Sequence, residues 1–200
     1  MKTAKAISII GHPIFQPTWM MIIMLLSGIT RFMPGNDLLF LSITVIMTCL
    51  LPGIVIYMMK KWSVISSIEM DDRTDRPGPL FIMVLFLYAT IRFFNKIQIM
   101  AIFNFYLTTI LVITILAFLI SFFWKISLHT LGWGNFTACL FVLTTISMRL
   151  YLPYLIASII ITGIVASARL KAESHNNAQI YAGFAMGFSV VIIMYFLLLV

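Results

Sequence analysis

Long, uninterrupted apolar runs alternate with short polar connections along this chain. Seven runs stand out, at 18–33, 38–59, 79–95, 99–123, 131–149, 151–168 and 178–200. A helix needs about 20 apolar residues to cross the hydrocarbon core of a bilayer, so each run is read as a membrane span. The first is short and is limited by Arg31, which implies a tilted or partly interfacial segment. None of the runs shows the period-two alternation of a barrel strand, and an open sheet edge in lipid leaves backbone groups unpaired. The pattern therefore predicts an all-α integral membrane protein, a bundle of about six to seven transmembrane helices forming one domain over residues 1–200. Pro52 and Pro153 fall within spans, where neighbouring helices can satisfy the freed carbonyls. Trp62, Trp124, Trp133, Tyr151 and Tyr154, near the span ends, are expected in an interfacial belt.

Composition supports lipid as the solvent. The chain has 200 residues, of which 62% are hydrophobic and only 10% charged, too few charges to cover a soluble domain of this size. A net charge of +7 in a soluble protein would suggest nucleic acid, but here the basic residues punctuate the ends of apolar segments. That placement fits anionic headgroups and orientation signals, with no nucleic-acid partner. Cys49 and Cys139 lie in apolar stretches without metal-ligand spacing and read as packing residues. Lys2 and Lys5 precede only a weak apolar patch, so no cleavable signal peptide is expected.

The polar chemistry is confined to three connections. They are KKWSVISSIEMDDRTDRPGP (60–79), WKISLHTLGWG (from Trp124) and RLKAESHNNAQIYAGFAMG (169–187), and they follow spans two, four and six. If all seven spans cross, the three lie at one membrane face.

The first connection carries Glu69, Asp71, Asp72, Arg73, Asp75 and Arg76. On a helix, Glu69–Arg73 and Asp72–Arg76 would be favourable i,i+4 pairs, a salt-bridged solvated helix end. The carboxylates also raise a Mg²⁺ site, and with it a Mg²⁺-dependent prenyltransferase. In the second connection, Ser127 and His129 open a span, where a helix N-terminus suits a phosphate oxygen, and Lys125 adds charge or marks the interface. In the third, Arg169 and His175 precede Gln179, which stands one helical turn beyond His175. Histidine can act as nucleophile or proton donor, and arginine binds phosphoryl oxygens bidentately.

These residues resemble the type 2 phosphatidic acid phosphatase superfamily, membrane lipid phosphatases related to vanadium haloperoxidases. Its motifs are K-x6-R-P, P-S-G-H and S-R-x5-H-x3-D. The first is matched by EMDDRTDRP, ending in Arg76-Pro77, and the second by ISLH, residues 126–129. The third is matched by ARLKAESHNNAQ, with Arg169, His175 and Gln179 in register and the small-residue stretch YAGFAMG behind it. The resemblance covers about 60–190 in the family's motif order.

The resemblance implies His175 as nucleophile, forming a phosphohistidine, and His129 as proton donor to the leaving lipid oxygen. It implies Arg76 and Arg169 on the phosphoryl oxygens, helped by Ser127, and it needs no metal or other cofactor. Departures from the family's pattern are Glu69 for lysine, Ile126 and Leu128 for proline and glycine, and Gln179 for the orienting aspartate. Arg73 is the candidate to replace the missing lysine charge. The substrate implied is a phospholipid or isoprenoid phosphate or pyrophosphate.

A rival from another class is a non-catalytic member that binds anionic lipid or scaffolds a complex. The expected location is multi-pass in an inner or plasma membrane. Counting basic residues gives nine on the site's side of the membrane and four on the other. Read literally, this places the site in the cytoplasm, but three of the nine, Arg73, Arg76 and Arg169, are explained by phosphate binding. The family's usual arrangement is a non-cytoplasmic site, and that is the face expected here.

Overall fold

The computed structural model describes residues 2–28, 36–68, 70, 72–97 and 101–198. Among these residues there is no strand. Helices α1 (Lys2–Ile10), α2 (Gln16–Leu26), α3 (Asp37–Val45), α4 (Leu51–Lys61), α5 (Pro77–Ile97), α6 (Ala101–Ser121), α7 (Leu128–Ile146), α8 (Met148–Lys171) and α9 (Asn177–Leu198) follow in order. Short 3-10 turns occupy Pro13–Phe15 and Arg73–Asp75.

Among the described residues, six segments are long and apolar enough to cross a membrane: Ala6–Leu26, Asp37–Lys61, Arg73–Lys96, Ala101–Ser121, Met148–Lys171 and Asn177–Leu198. The chain is thus an all-α, multi-pass membrane bundle. The expected first span, 18–33, is displaced: helical apolar sequence begins much earlier, and residues 29–35, with Arg31, lie outside the described residues. The expected fifth span is present as α7, but α7 is too polar to count among the six. It is buried without a break from Thr130 to Leu140. Protein rather than lipid surrounds it there, so Thr130, Asn135 and Thr137 are tolerated. By contrast α8 exposes Ile156, Ile159, Ile160 and Ile164, a face suited to lipid.

The chain divides into two compact units. One comprises residues 1–13 and 125–200, the other 14–124. In the first unit α7 packs against both α8 and α9, and α1 lies on α8. The α7–α9 approach depends on small residues. A Cβ at Gly187 would collide with the Leu131 carbonyl oxygen, and one at Gly183 would meet Thr130 Oγ1 at 2.5 Å and Ser127 O at 2.8 Å. The small-residue tail behind Gln179 is therefore what lets the start of α9 reach the start of α7.

In the second unit α3 and α4 are parts of one helical run interrupted by a π turn at Ile46–Leu50. Pro52 sits at the head of α4, just after that wide turn, which relieves the clash and lost donor that proline imposes on a regular helix. Phe40, Phe94, Phe103 and Tyr106 form an aromatic core, with neighbouring centroids 5.5–6.3 Å apart.

Two members of the expected aromatic belt are corrected. Tyr151 is fully buried and Trp133 nearly so. Trp133 Nε1 donates to the Gly11 carbonyl at 2.9 Å, so the indole finds its partner inside the protein rather than at the headgroups.

Candidate active site

In the first unit, α7 and α9 begin where α1 and α8 end, and each terminus brings one polar group. The start of α9 is the best defined. Asn176 caps the helix: its Oδ1 accepts from the Gln179 backbone N–H at 3.0 Å, and Gln179 Oε1 accepts in return from the Asn176 N–H at 3.3 Å. This is a reciprocal capping box, with glutamine at the position where the motif wants Glu or Gln. The same Gln179 Oε1 lies 2.9 Å from His175 Nδ1. An atom that accepts from a backbone N–H must be the amide oxygen, so His175 Nδ1 carries the hydrogen and donates it. In the neutral ring Nε2 is then the nitrogen without the hydrogen. The i,i+4 contact expected from the sequence is thus formed, and the helix cap holds its acceptor still. His175 itself is buried, 7% exposed.

Arg169 ends α8 and is equally buried. The turn after it closes with Glu173 in the left-handed region (φ 54°), its N–H donating to Leu170 O at 2.9 Å. That turn carries the chain from α8 into the cap of α9.

Ser127 is the N-cap of α7. Its Oγ accepts from the Thr130 N–H at 3.4 Å, and its own N–H donates to the Gln179 carbonyl at 3.3 Å. Ser127 is completely buried, as is Ile126 beside it. The hydroxyl expected on a phosphate therefore serves the helix start, and through Ser127 N the starts of α7 and α9 are joined.

His129 lies one turn below Trp133 on α7, and both side chains reach the end of α1. His129 Nε2 is 3.0 Å from the Ser8 carbonyl oxygen. A carbonyl only accepts, so Nε2 bears a hydrogen and donates it there. The His12 ring stands edge-on to His129, with centroids 5.1 Å apart and planes at 86°. Sequence reading missed His12 altogether. The signal available was Gly11-His12-Pro13, a helix stop with a titratable residue in it, in a stretch that reads as a weak apolar patch.

Arg73, Arg76 and the carboxylates belong to the other unit. Asp72 is extended, and helical geometry begins only at Arg73. The expected Asp72–Arg76 helical pair is therefore not formed, and Arg76, fully buried, donates from Nε to Met70 O at 3.1 Å. Arg73 donates to the Phe123 carbonyl at 2.8 Å. Asp75 accepts from the Ser66 N–H at 2.9 Å, the Ser67 N–H at 3.3 Å and the Ser66 hydroxyl, while Lys60 donates to the Ser66 carbonyl. Asp75 thus organises a turn. Glu69 and Asp71, and with them the Glu69–Arg73 pair, lie outside the described residues. Among the described residues no group of three His, Cys, Asp or Glu side chains is placed to hold a metal ion.

What the first unit assembles is a buried arginine, a histidine with one nitrogen fixed as donor, and two further imidazoles, at the meeting of four helix termini. Two of those termini are helix N-termini, which favour anions. Comparisons of the chain with family models, with curated proteins and with solved structures find no match.

Proposed function

We propose that this chain is a membrane-embedded phosphatase for lipid phosphates, acting on a phospholipid or isoprenoid phosphate through a phosphohistidine. The observation that carries this reading is the buried imidazole of His175 held by Gln179, with Arg169 buried near the end of the preceding helix. Fixing Nδ1 as donor aims the Nε2 lone pair and removes the cost of choosing a tautomer during reaction. In the first step that lone pair attacks phosphorus and the bond to the lipid oxygen breaks. Water then displaces His175 from the phosphoryl group. Arg169 supplies charge to the equatorial oxygens, and positioning plus such charge is most of what phosphoryl transfer asks of a protein. A site among helix ends in a bilayer suits a substrate whose tail stays in lipid. The face is taken to be non-cytoplasmic. A cysteine at the half-buried loop residue Ser174, in a background lacking Cys49 and Cys139, tests this with a membrane-impermeant thiol reagent on intact cells.

A second reading is an anionic-lipid-binding protein without turnover. It is favoured by the His129 Nε2–H bond to Ser8, which ties up the nitrogen that the family resemblance would use as acid. A Mg²⁺-dependent prenyltransferase is less well supported, because Asp75 is engaged by Ser66 and Ser67. One experiment separates the three: phosphate release from a panel of lipid phosphates by purified protein in detergent, with and without chelator. Release that survives chelation supports the histidine mechanism. Binding without release supports the second reading, and activity abolished by chelation supports the carboxylates.

A further inference from the structure

The amide of Gln179 faces two donors at once. Its Oε1 accepts from the Asn176 N–H at 3.3 Å and lies 2.9 Å from His175 Nδ1. A glutamine amide also has a wrong way round. Turned about its last torsion, it would set its NH₂ group against the Asn176 N–H, donor against donor, and offer a donor to His175 Nδ1. The neutral ring would then carry its hydrogen on Nε2 instead. The aspartate of the resembled motif has no such alternative, because both carboxylate oxygens accept. What decides the orientation here is the turn at Asn176. Its Oδ1 accepts from the Gln179 N–H at 3.0 Å, closing the reciprocal cap that points the Asn176 N–H at Oε1. The rest of the helix start has other anchors. Ile180 N–H donates to the Asn176 carbonyl at 3.2 Å, and Ser127 N–H donates to the Gln179 carbonyl at 3.3 Å.

We propose that Asn176 is a positioning residue: through the cap it fixes the Gln179 amide, and through that amide it holds the neutral His175 ring with its hydrogen on Nδ1. What this means for turnover rests on the phosphatase reading given above, and what it means for the tautomer does not. Asn176 is thus what lets a glutamine stand where the resembled family has aspartate. Removing its side-chain acceptor frees the amide to turn. The ratio of the two tautomers then shifts by the worth of one neutral hydrogen bond, a factor of about 2–10. The Asn176 side chain works on the ring only through Gln179, so its loss changes the fraction of correctly poised protein. Accordingly kcat falls with that fraction, and KM holds.

The test reads the ring directly. The full chain is labelled with ¹⁵N-histidine and held in detergent at about pH 9, above the ordinary histidine range. It gives ring-nitrogen signals for three histidines, and the His175→Asn variant identifies the one from His175. Wild type is expected in the Nδ1–H form. Asn176→Ala is expected to shift the ratio about 2–10-fold toward Nε2–H, and so is Asn176→Gly, which removes the same oxygen at little cost to the helix. Asn176→Asp keeps an acceptor for the Gln179 N–H and is expected to match wild type. The double variant Asn176→Ala/Gln179→Glu is expected to return to Nδ1–H, because a carboxylate has no donor side to turn. A cap with only a structural role would lower the melting temperature of Asn176→Ala and leave the ring unmoved. The proposal is overturned if wild type is not in the Nδ1–H form, if the Ala and Gly variants keep the wild-type tautomer, or if the double variant stays as mixed as Asn176→Ala. Release of phosphate from short-chain phosphatidic acid is followed on the same samples. If wild type releases none, the phosphatase reading falls, and the ring signals still decide the role of Asn176. If wild type turns over and Asn176→Ala keeps full kcat despite a shifted ring, the positioning role alone is overturned.

Discussion

The two polar regions of this protein make opposite use of their charges. The connection from Lys60 to Arg76 holds most of the acidic residues of the chain. Where described, its polar groups answer one another or nearby backbone: Asp75 on Ser66 and Ser67, Lys60 on Ser66, Arg76 on Met70, Arg73 on Phe123. The region around Arg169 and His175 has few charges, yet both are buried, His175 is held by Gln179, and His12 stands edge-on to His129. Charge density marks a solvated or self-satisfied turn. Polar groups that are buried and held in place by caps mark a candidate for chemistry.

This contrast can be broken or sharpened by substitution. His175→Ala should lower phosphate release by about 10³-fold or more, the contribution of a covalent nucleophile, with little change in the melting temperature in detergent. Arg169→Ala should cost roughly 10²–10³-fold, as does removal of one preorganised donor to a developing charge. Arg73→Ala, exposed and bonded to a backbone carbonyl, should change the rate only about twofold, within the usual range for a surface site. Equal losses for the two arginines would erase the distinction between the regions.

Gln179 is the next largest effect. Gln179→Leu removes the acceptor of His175 and half of the capping box, and should slow turnover by about 10- to 100-fold, as loss of an imidazole's orienting partner does. It should also cost about 1 kcal/mol of stability through the cap. Gln179→Glu preserves both bonds and should retain activity. If Leu is as active as Gln, the orienting role is wrong.

The smallest effects are on stability. Gly187→Val would drive a side chain into the Leu131 carbonyl and should destabilise by about 1–3 kcal/mol, read as a lowered melting temperature. Glu173→Gly relieves a left-handed residue at φ 54° and should gain up to about 1 kcal/mol without altering activity.

Much of the fold was legible because lipid imposes length and apolarity on every helix that faces it. The spans at 38–59, 99–123, 151–168 and 178–200 correspond to Asp37–Lys61, Ala101–Ser121, Met148–Lys171 and Asn177–Leu198. The same reasoning is weakest where protein replaces lipid: α7 carries Thr130, Asn135 and Thr137 and is still a helix, since its neighbours cover it. The start of the first span was misplaced because Gly11 and Pro13 look like breakers, while the apolar helical segment runs from Ala6. At the site, the His175–Gln179 contact followed from helical periodicity, and Asn176-Asn177-Ala178-Gln179 also carries a capping signal that strengthens it. The two bonds from α7 to the end of α1 were not legible. They join residues 121 and 122 positions apart, and no local spacing encodes a contact of that range.

The central claim is that the Gln179-held imidazole of His175 attacks phosphorus. Rapid acid-free quenching of wild-type protein with ³²P-labelled short-chain phosphatidic acid, followed by proteolysis and mass spectrometry, tests it directly. The expected result is an acid-labile, base-stable phosphoryl group on the peptide containing His175, absent from His175→Ala. Turnover with no such adduct, or an adduct mapped to His12, His129 or a carboxylate, would contradict it.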